Sequence, residues 1–218
     1  MANHALNATS AQLAARVPAW SPSEGLETSR EDAARSGVYA LLAALLRGVP
    51  DAALLDRVCR LDAAQGRDAF ALAWEGLRLT ANQVTPAEVD DEYHRLFIGL
   101  GRGELVPYGS WYQTGFLMEL PLGALRRDLA ALGFERDPNV CEPEDHVAAL
   151  CEVMAQLALD PDTSVERQRE FYRAHLRPWI GRFCRDLQAV PGAPLYGALG
   201  HLASAFFDIE GRYLELGS

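Results

Sequence analysis

The chain reads as all-α, a single globular multi-helix domain of about eight to ten helices. Three observations predict this. Apolar residues recur at helical spacing in one segment after another, with Val38, Leu41, Leu42, Leu45 and Leu46 forming one stripe and Val89, Tyr93, Leu96 and Phe97 a second. Capping residues precede these stripes, and glycine or proline follows them. Strand alternation and Asn-Gly or Asp-Gly hairpin turns do not occur. With 218 residues, 49% hydrophobic and 23% charged, the chain has the length and composition to bury a core.

The elements follow in order. Residues 1–27 are a weakly periodic tail with helical character around Ala11–Val17. Ser29-Arg30-Glu31-Asp32 resembles a capping box with Asp in place of Glu, and the helix it opens stops at Gly48 and Pro50. Asp51 caps a second helix through Leu61, with Leu54, Leu55 and Val58 inward. A third runs from about Arg67 to Leu79 on Phe70, Leu72, Trp74 and Leu77. Thr85-Pro86-Ala87-Glu88 is the clearest start signal: Thr caps, Pro takes the first helical position, and Glu reaches back to the cap amide. Gly99, Gly101 and Gly103 end that helix. Short helices follow at Ser110–Glu119 and Leu122–Leu132, the latter closed by Gly133, and a loop Phe134–Cys141 leads to the helix Val147–Leu159. Helices at Ser164–Leu176, Trp179–Val190 and Pro194–Leu216 complete the chain.

Charge narrows the function classes. The formal net charge is -10, which argues against non-specific nucleic-acid binding and suits attraction of a basic peptide. All 20 basic residues are arginine, so Schiff-base chemistry and a phosphate-loop lysine are excluded. No apolar stretch is long enough for stable membrane insertion, and residues 1–25 show no export signal. The expectation is a cytoplasmic protein with Cys59, Cys141, Cys151 and Cys184 as reduced thiols. Asn7-Ala8-Thr9 is a chance glycosylation match in that setting.

The run Glu142-Pro143-Glu144-Asp145-His146 is the most informative stretch. Its carboxylates have a bland explanation, since acidic side chains favour a helix start by roughly 0.3–1 kcal/mol each. His146 is harder to dismiss: on a helical projection it lies at the edge of the face made by Val147, Leu150, Cys151, Met154 and Leu157, while Asp145 and Glu152 share the polar side. It stands between a seam histidine and a functional one. Cys141, His146 and Cys151 are five apart, which does not align them, so no metal site is expected. A hydrolase would use Ser110 with Asp145 and His146, but no GxSxG elbow is present. Gly99-Leu100-Gly101-Arg102-Gly103 follows a helix, not a strand, which fails the dinucleotide-loop context. Tyr108, Trp111 and Tyr112 lie in a turn-rich stretch of the kind that lines binding surfaces.

In order, Glu92-Tyr93, Leu96-Phe97, Gly99, Pro107-Tyr108-x-Ser110-x-Tyr112, Gly133-Phe134, Glu142-Pro143-x-Asp145-His146 and Met154 resemble the TorD/DmsD/NarJ family of redox-enzyme maturation chaperones. The resemblance covers roughly residues 90–157 and rests on order and spacing. It implies no catalytic residues and no cofactor. It implies binding of the twin-arginine leader, or the apo catalytic subunit, of a molybdenum-cofactor oxidoreductase until that enzyme is assembled. The peptide-binding residues it points to are Tyr93, Leu96, Phe97, Asp145 and His146, with Tyr108, Ser110, Trp111 and Tyr112 nearby; Glu142, Asp145 and Glu152 are outward carboxylates suited to arginine. It also implies, after the tail 1–27, a hinge ahead of Asp145 between an N-terminal helical half 28–140 and a C-terminal half 141–218, and hence a monomer or a domain-swapped homodimer. Gly109 stands where the family often has an acidic residue. The rival readings are the small helical hydrolase using Asp145, His146 and Ser110, and a generic helical protein-interaction module.

Overall fold

The structure, a computed structural model, describes residues 29–62, 66–99, 103–136 and 140–216. The tail 1–27, the middle of the glycine loop after Gly99 and residues 137–139 lie outside the described residues. Among the described residues every regular element is helical. In chain order these are α1 (Arg30–Arg47), α2 (Ala52–Cys59), α3 (Ala69–Ala81), α4 (Pro86–Tyr93), a π-helical turn (His94–Ile98), α5 (Gly109–Thr114), α6 (Leu120–Ala131), α7 (Val147–Leu159), α8 (Val165–His175), α9 (Ile180–Ala189) and α10 (Pro194–Leu216). None of these helices is long and apolar enough to cross a membrane.

The starts are chemical, as the sequence predicts. Ser29 accepts from the Asp32 amide at 3.0 Å and donates its hydroxyl to the Asp32 carboxylate at 2.8 Å. Asp51, Asp68 and Ser164 each accept from the backbone N–H three residues on. Thr85 and Glu88 form the full reciprocal capping box. The sequence reading placed Leu72 inward on α3; it is 65% exposed, because the buried side of α3 runs through Ala71, Leu77 and Ala81 instead.

The residues gather into two compact units. The first comprises the described residues up to Arg47, Tyr108–Pro178 and the chain from Leu214; the second comprises Gly48–Pro107 and Trp179–Tyr213. Each unit draws on both of the sequence halves, 28–140 and 141–218.

In the first unit α1 and α7 make the most extensive pairing. Tyr39, Leu42, Leu45 and Leu46 from α1 and Leu150, Cys151 and Met154 from α7 are all fully buried. Arg47 forks onto Glu152 at the edge of this pair, at 2.7 and 2.5 Å. Packing outweighs the ion pair: each buried leucine contributes roughly 1.5–3 kcal/mol, a partly exposed ion pair about 1 or less. Arg35 donates to Gln168 of α8 at 2.8 Å, and His175 of α8 meets Asp128 of α6 at 2.7 Å.

In the second unit α4 does not end at a simple cap. It widens into the π-helical turn, where the Gly99 N–H reaches the His94 carbonyl at 2.7 Å. Widening frees the carbonyls of Arg95 and Leu96, and the returning chain satisfies them: Glu104 N–H donates to the first at 3.3 Å and Leu105 N–H to the second at 2.8 Å. That return presses backbone on backbone at Gly103, where a Cβ would lie 2.3 Å from the Leu96 carbonyl oxygen. Gly99, at φ 60 and ψ 176, starts the return in a conformation that is essentially restricted to glycine.

Two glycine substitutions of opposite sign test this account by urea denaturation. Gly103→Ala should destabilise by about 3 kcal/mol or more, because the clash is with backbone that cannot move aside. Gly37→Ala, inside α1 with nothing within 4 Å of a new Cβ, should stabilise by up to about 1 kcal/mol.

Candidate functional site

The run Glu142–His146 lies in the first unit, and its geometry is that of a clamp on two helix starts. The start of α5 has no cap from its own Tyr108 side chain. Asp145 supplies it from 35 residues away: the Ser110 N–H donates to Oδ2 at 2.7 Å and the Gly109 N–H to the Asp145 carbonyl at 2.9 Å. His146 caps its own helix, α7, with Nδ1 accepting from the Ala148 N–H at 3.2 Å. An antiparallel bridge pairs Tyr108 with His146, and their rings meet edge to face at 5.1 Å.

This arrangement corrects several expectations. Asp145 was expected to face outward; it is 3% exposed, because it serves α5. The run precedes α7, which starts only at Val147, and two of its acids are engaged elsewhere, Asp145 by the start of α5 and Glu144 by Arg126. Glu152, also expected outward, is taken by Arg47 of the same chain. Glu144 holds Arg126 at 2.9 Å. Of Glu142, Asp145 and Glu152, Glu142 alone is exposed, and its carboxylate accepts the Tyr108 hydroxyl. Trp111 and Tyr112 are half-buried on α5.

His146 is neutral near pH 7. Burial pushes its pKa down to about 3, assisted by the positive charge of Arg47. Its Nδ1 lone pair is engaged as a cap, and the Ser110 hydroxyl is fully buried without a hydrogen-bond partner. The serine and histidine therefore do not form the nucleophile–base pair a hydrolase needs. Among the described residues no three His, Cys, Asp or Glu side chains gather into a metal-binding group.

Tyr93, Leu96 and Phe97 lie in the second unit, on α4 and its π-helical turn. Leu96 is fully buried, while Phe97 is partly exposed and Ile98 54% exposed. Tyr93, Phe97 and Tyr196 of α10 form a three-ring cluster, with centroids 5.0 Å apart for Tyr93–Phe97, 6.1 Å for Tyr93–Tyr196 and 5.3 Å for Phe97–Tyr196, tilted or edge to face. Glu92 is buried beside them and accepts from the Tyr196 N–H at 3.3 Å, in the first turn of α10. Burial raises the Glu92 pKa, opposed by the amides of Tyr196 and Leu195. The structure thus sorts the expected site residues into two clusters, one in each unit. Sequence reasoning missed Arg47 and Tyr196. Nothing local links Arg47 to Glu152, which lies 105 residues away; Tyr196 carried one faint signal, an aromatic in the first turn after Pro194.

Residues 64–185 match the nitrate reductase delta subunit family. The chaperone protein TorD of Vibrio cholerae serotype O1 is 28% identical over 148 residues, 63% of this chain and 67% of the relative. TorD of Vibrio parahaemolyticus is 23% identical over 148 residues, with 63% and 69% covered. A crystal structure from Archaeoglobus fulgidus, described as a redox enzyme maturation protein, shares the fold at a TM-score of 0.54 and 17% identity, covering 85% of this chain and 97% of that one.

The His146 cap gives a pH signature. The unfolded imidazole titrates near pH 6.5 and the folded one at about 3, so the unfolded chain binds the extra proton between these values. The contribution to stability is complete above about pH 6.5 and is lost as pH falls toward 3. Between pH 7 and pH 5 the loss should be about 2 kcal/mol. His146→Asn, which keeps a capping acceptor but cannot titrate, should flatten that slope in urea denaturation. His175, also shifted down by burial, leaves a remainder of the same sign.

Proposed function

The chain belongs to the nitrate reductase delta subunit family, and from that premise we propose that it is a cytoplasmic maturation chaperone for a molybdenum-cofactor oxidoreductase. It binds the client's twin-arginine leader, or its apo catalytic subunit, and holds it for cofactor insertion and assembly before export. The TorD relatives, named as chaperones, support the coarse reading.

The observation that carries the finer one is Glu142: an exposed carboxylate, oriented by the Tyr108 hydroxyl beside half-buried Trp111 and Tyr112. A guanidinium is planar and pairs with a carboxylate through two parallel N–H donors, so a pre-oriented Glu142 suits a client arginine. Neighbouring carboxylates are occupied by Arg47 and Arg126. In the second unit, partly exposed Phe97, which meets Tyr93 and Tyr196, and exposed Ile98 offer an apolar surface of a second kind. The net charge of -10 speeds the encounter with a basic leader and makes it salt-sensitive.

Isothermal titration with a synthetic twin-arginine leader tests the reading, with saturable binding that weakens as salt rises as the expected result. Glu142→Gln should weaken binding about threefold to tenfold with little change in melting temperature. Asp145→Ala should do the reverse in emphasis: it strands the buried Ser110 amide and costs about 1–3 kcal/mol of stability. Absence of saturable binding to leaders encoded beside this gene contradicts leader recognition.

A further inference from the structure

Between α5 and α6 the chain exposes apolar side chains in succession. Phe116 is 67% exposed, Leu117 45%, Met118 70% and Leu120 87%. Single exposed apolar residues are normal, and Val49, Leu72 and Ile209 are of that kind. Among the described residues no other run exposes three large apolar side chains in a row. The segment has defined local geometry. Gly115 leaves α5 in a left-handed conformation, and the Thr114 hydroxyl accepts from the Phe116 N–H at 3.1 Å. Met118 has φ 57, a conformation that a residue with a side chain adopts only at a cost.

We propose that Phe116, Leu117, Met118 and Leu120 form the docking surface for the apolar stretch that follows a client leader's arginine pair. This rests on the leader-binding reading above and names the part of the leader that meets this surface. Three observations favour that occupant. The apolar run sits at the C-terminal end of α5, whereas Tyr108, which holds exposed Glu142, sits at its N-terminal end. The seven residue steps from Tyr108 to Gly115 span about 10 Å along the helix, which an extended peptide covers in about three residues. With a leader arginine on Glu142, the loop is within reach of the residues that follow it. Charge points the same way. Exposed Glu119 lies inside the run and Glu142 beyond α5, so a two-fold contact between copies would bring like charges together, whereas a basic leader neutralises them.

Fluorescence anisotropy with two peptides tests this. One carries two adjacent arginines followed by an apolar stretch; in the other that stretch is replaced by serine and glycine. The Phe116→Ser/Leu120→Ser double variant should lose about tenfold or more in affinity for the first peptide and almost none for the second. Met118→Gly, which suits the left-handed backbone and so favours folding, should lose affinity for the first peptide alone. Unchanged affinity of the variants for the first peptide, or equal loss for both, overturns this surface while leaving leader binding standing. Wild-type protein that binds neither peptide overturns leader recognition and the surface with it. A wild-type dimer converted to monomer by the double variant, seen by sedimentation, assigns the run to a second copy and overturns the proposal.

Discussion

Two helix starts in the first unit, those of α5 and α7, are held by two consecutive residues. Asp145 accepts the first side-chain cap bond of α5 and offers its carbonyl to the residue before; His146 caps α7 and lays its ring against Tyr108. A short helix such as α5 has little stability of its own, because its few hydrogen bonds barely offset the cost of nucleation. Its orientation therefore depends on this clamp. So does everything that α5 carries: Tyr108 and the carboxylate it holds at one end, and the exposed apolar run at the other.

The clamp also changes the meaning of the acidic residues. A buried carboxylate must be satisfied by donors, a buried imidazole is neutral, and an acid beside an arginine of the same chain is already paired. His146, Glu144 and Glu152 are each accounted for in one of these ways, and Asp145 through Oδ2, which accepts the Ser110 N–H while Oδ1 stays buried without a partner. What remains for a partner is a small set of exposed groups, with Glu142 foremost. The two most motif-like residues hold helix starts, and the proposed contact falls to a less conspicuous neighbour.

Much of this was legible in the sequence, and the parts that were not share a cause. Helix positions followed from apolar spacing and from local caps such as Thr85 with Glu88, since those interactions close within one turn. The value of Glu142–His146 was legible too, but its roles were not: Asp145 bonds across 35 residues and Arg47 reaches Glu152 across 105. Helical projection placed Asp145 outward because it assumed that the helix contained it. The π-helical turn under Leu96 and Phe97 was equally invisible, because its freed carbonyls are satisfied by Glu104 and Leu105 arriving from outside the helix. Gly103 was seen only as a breaker, whereas it is the point where that returning backbone fits.

The central claim is that Asp145 and His146 are engaged before any client arrives, and that the client meets the surface they position. Amide hydrogen exchange, with and without a twin-arginine leader peptide, tests this most directly. The account predicts that the amides of Gly109, Ser110 and Ala148 exchange slowly in the free protein and change little on binding, while protection is gained between residues 115 and 120 and around Glu142. Amides of Ser110 and Ala148 that exchange freely without peptide, and become protected only with it, would contradict the account.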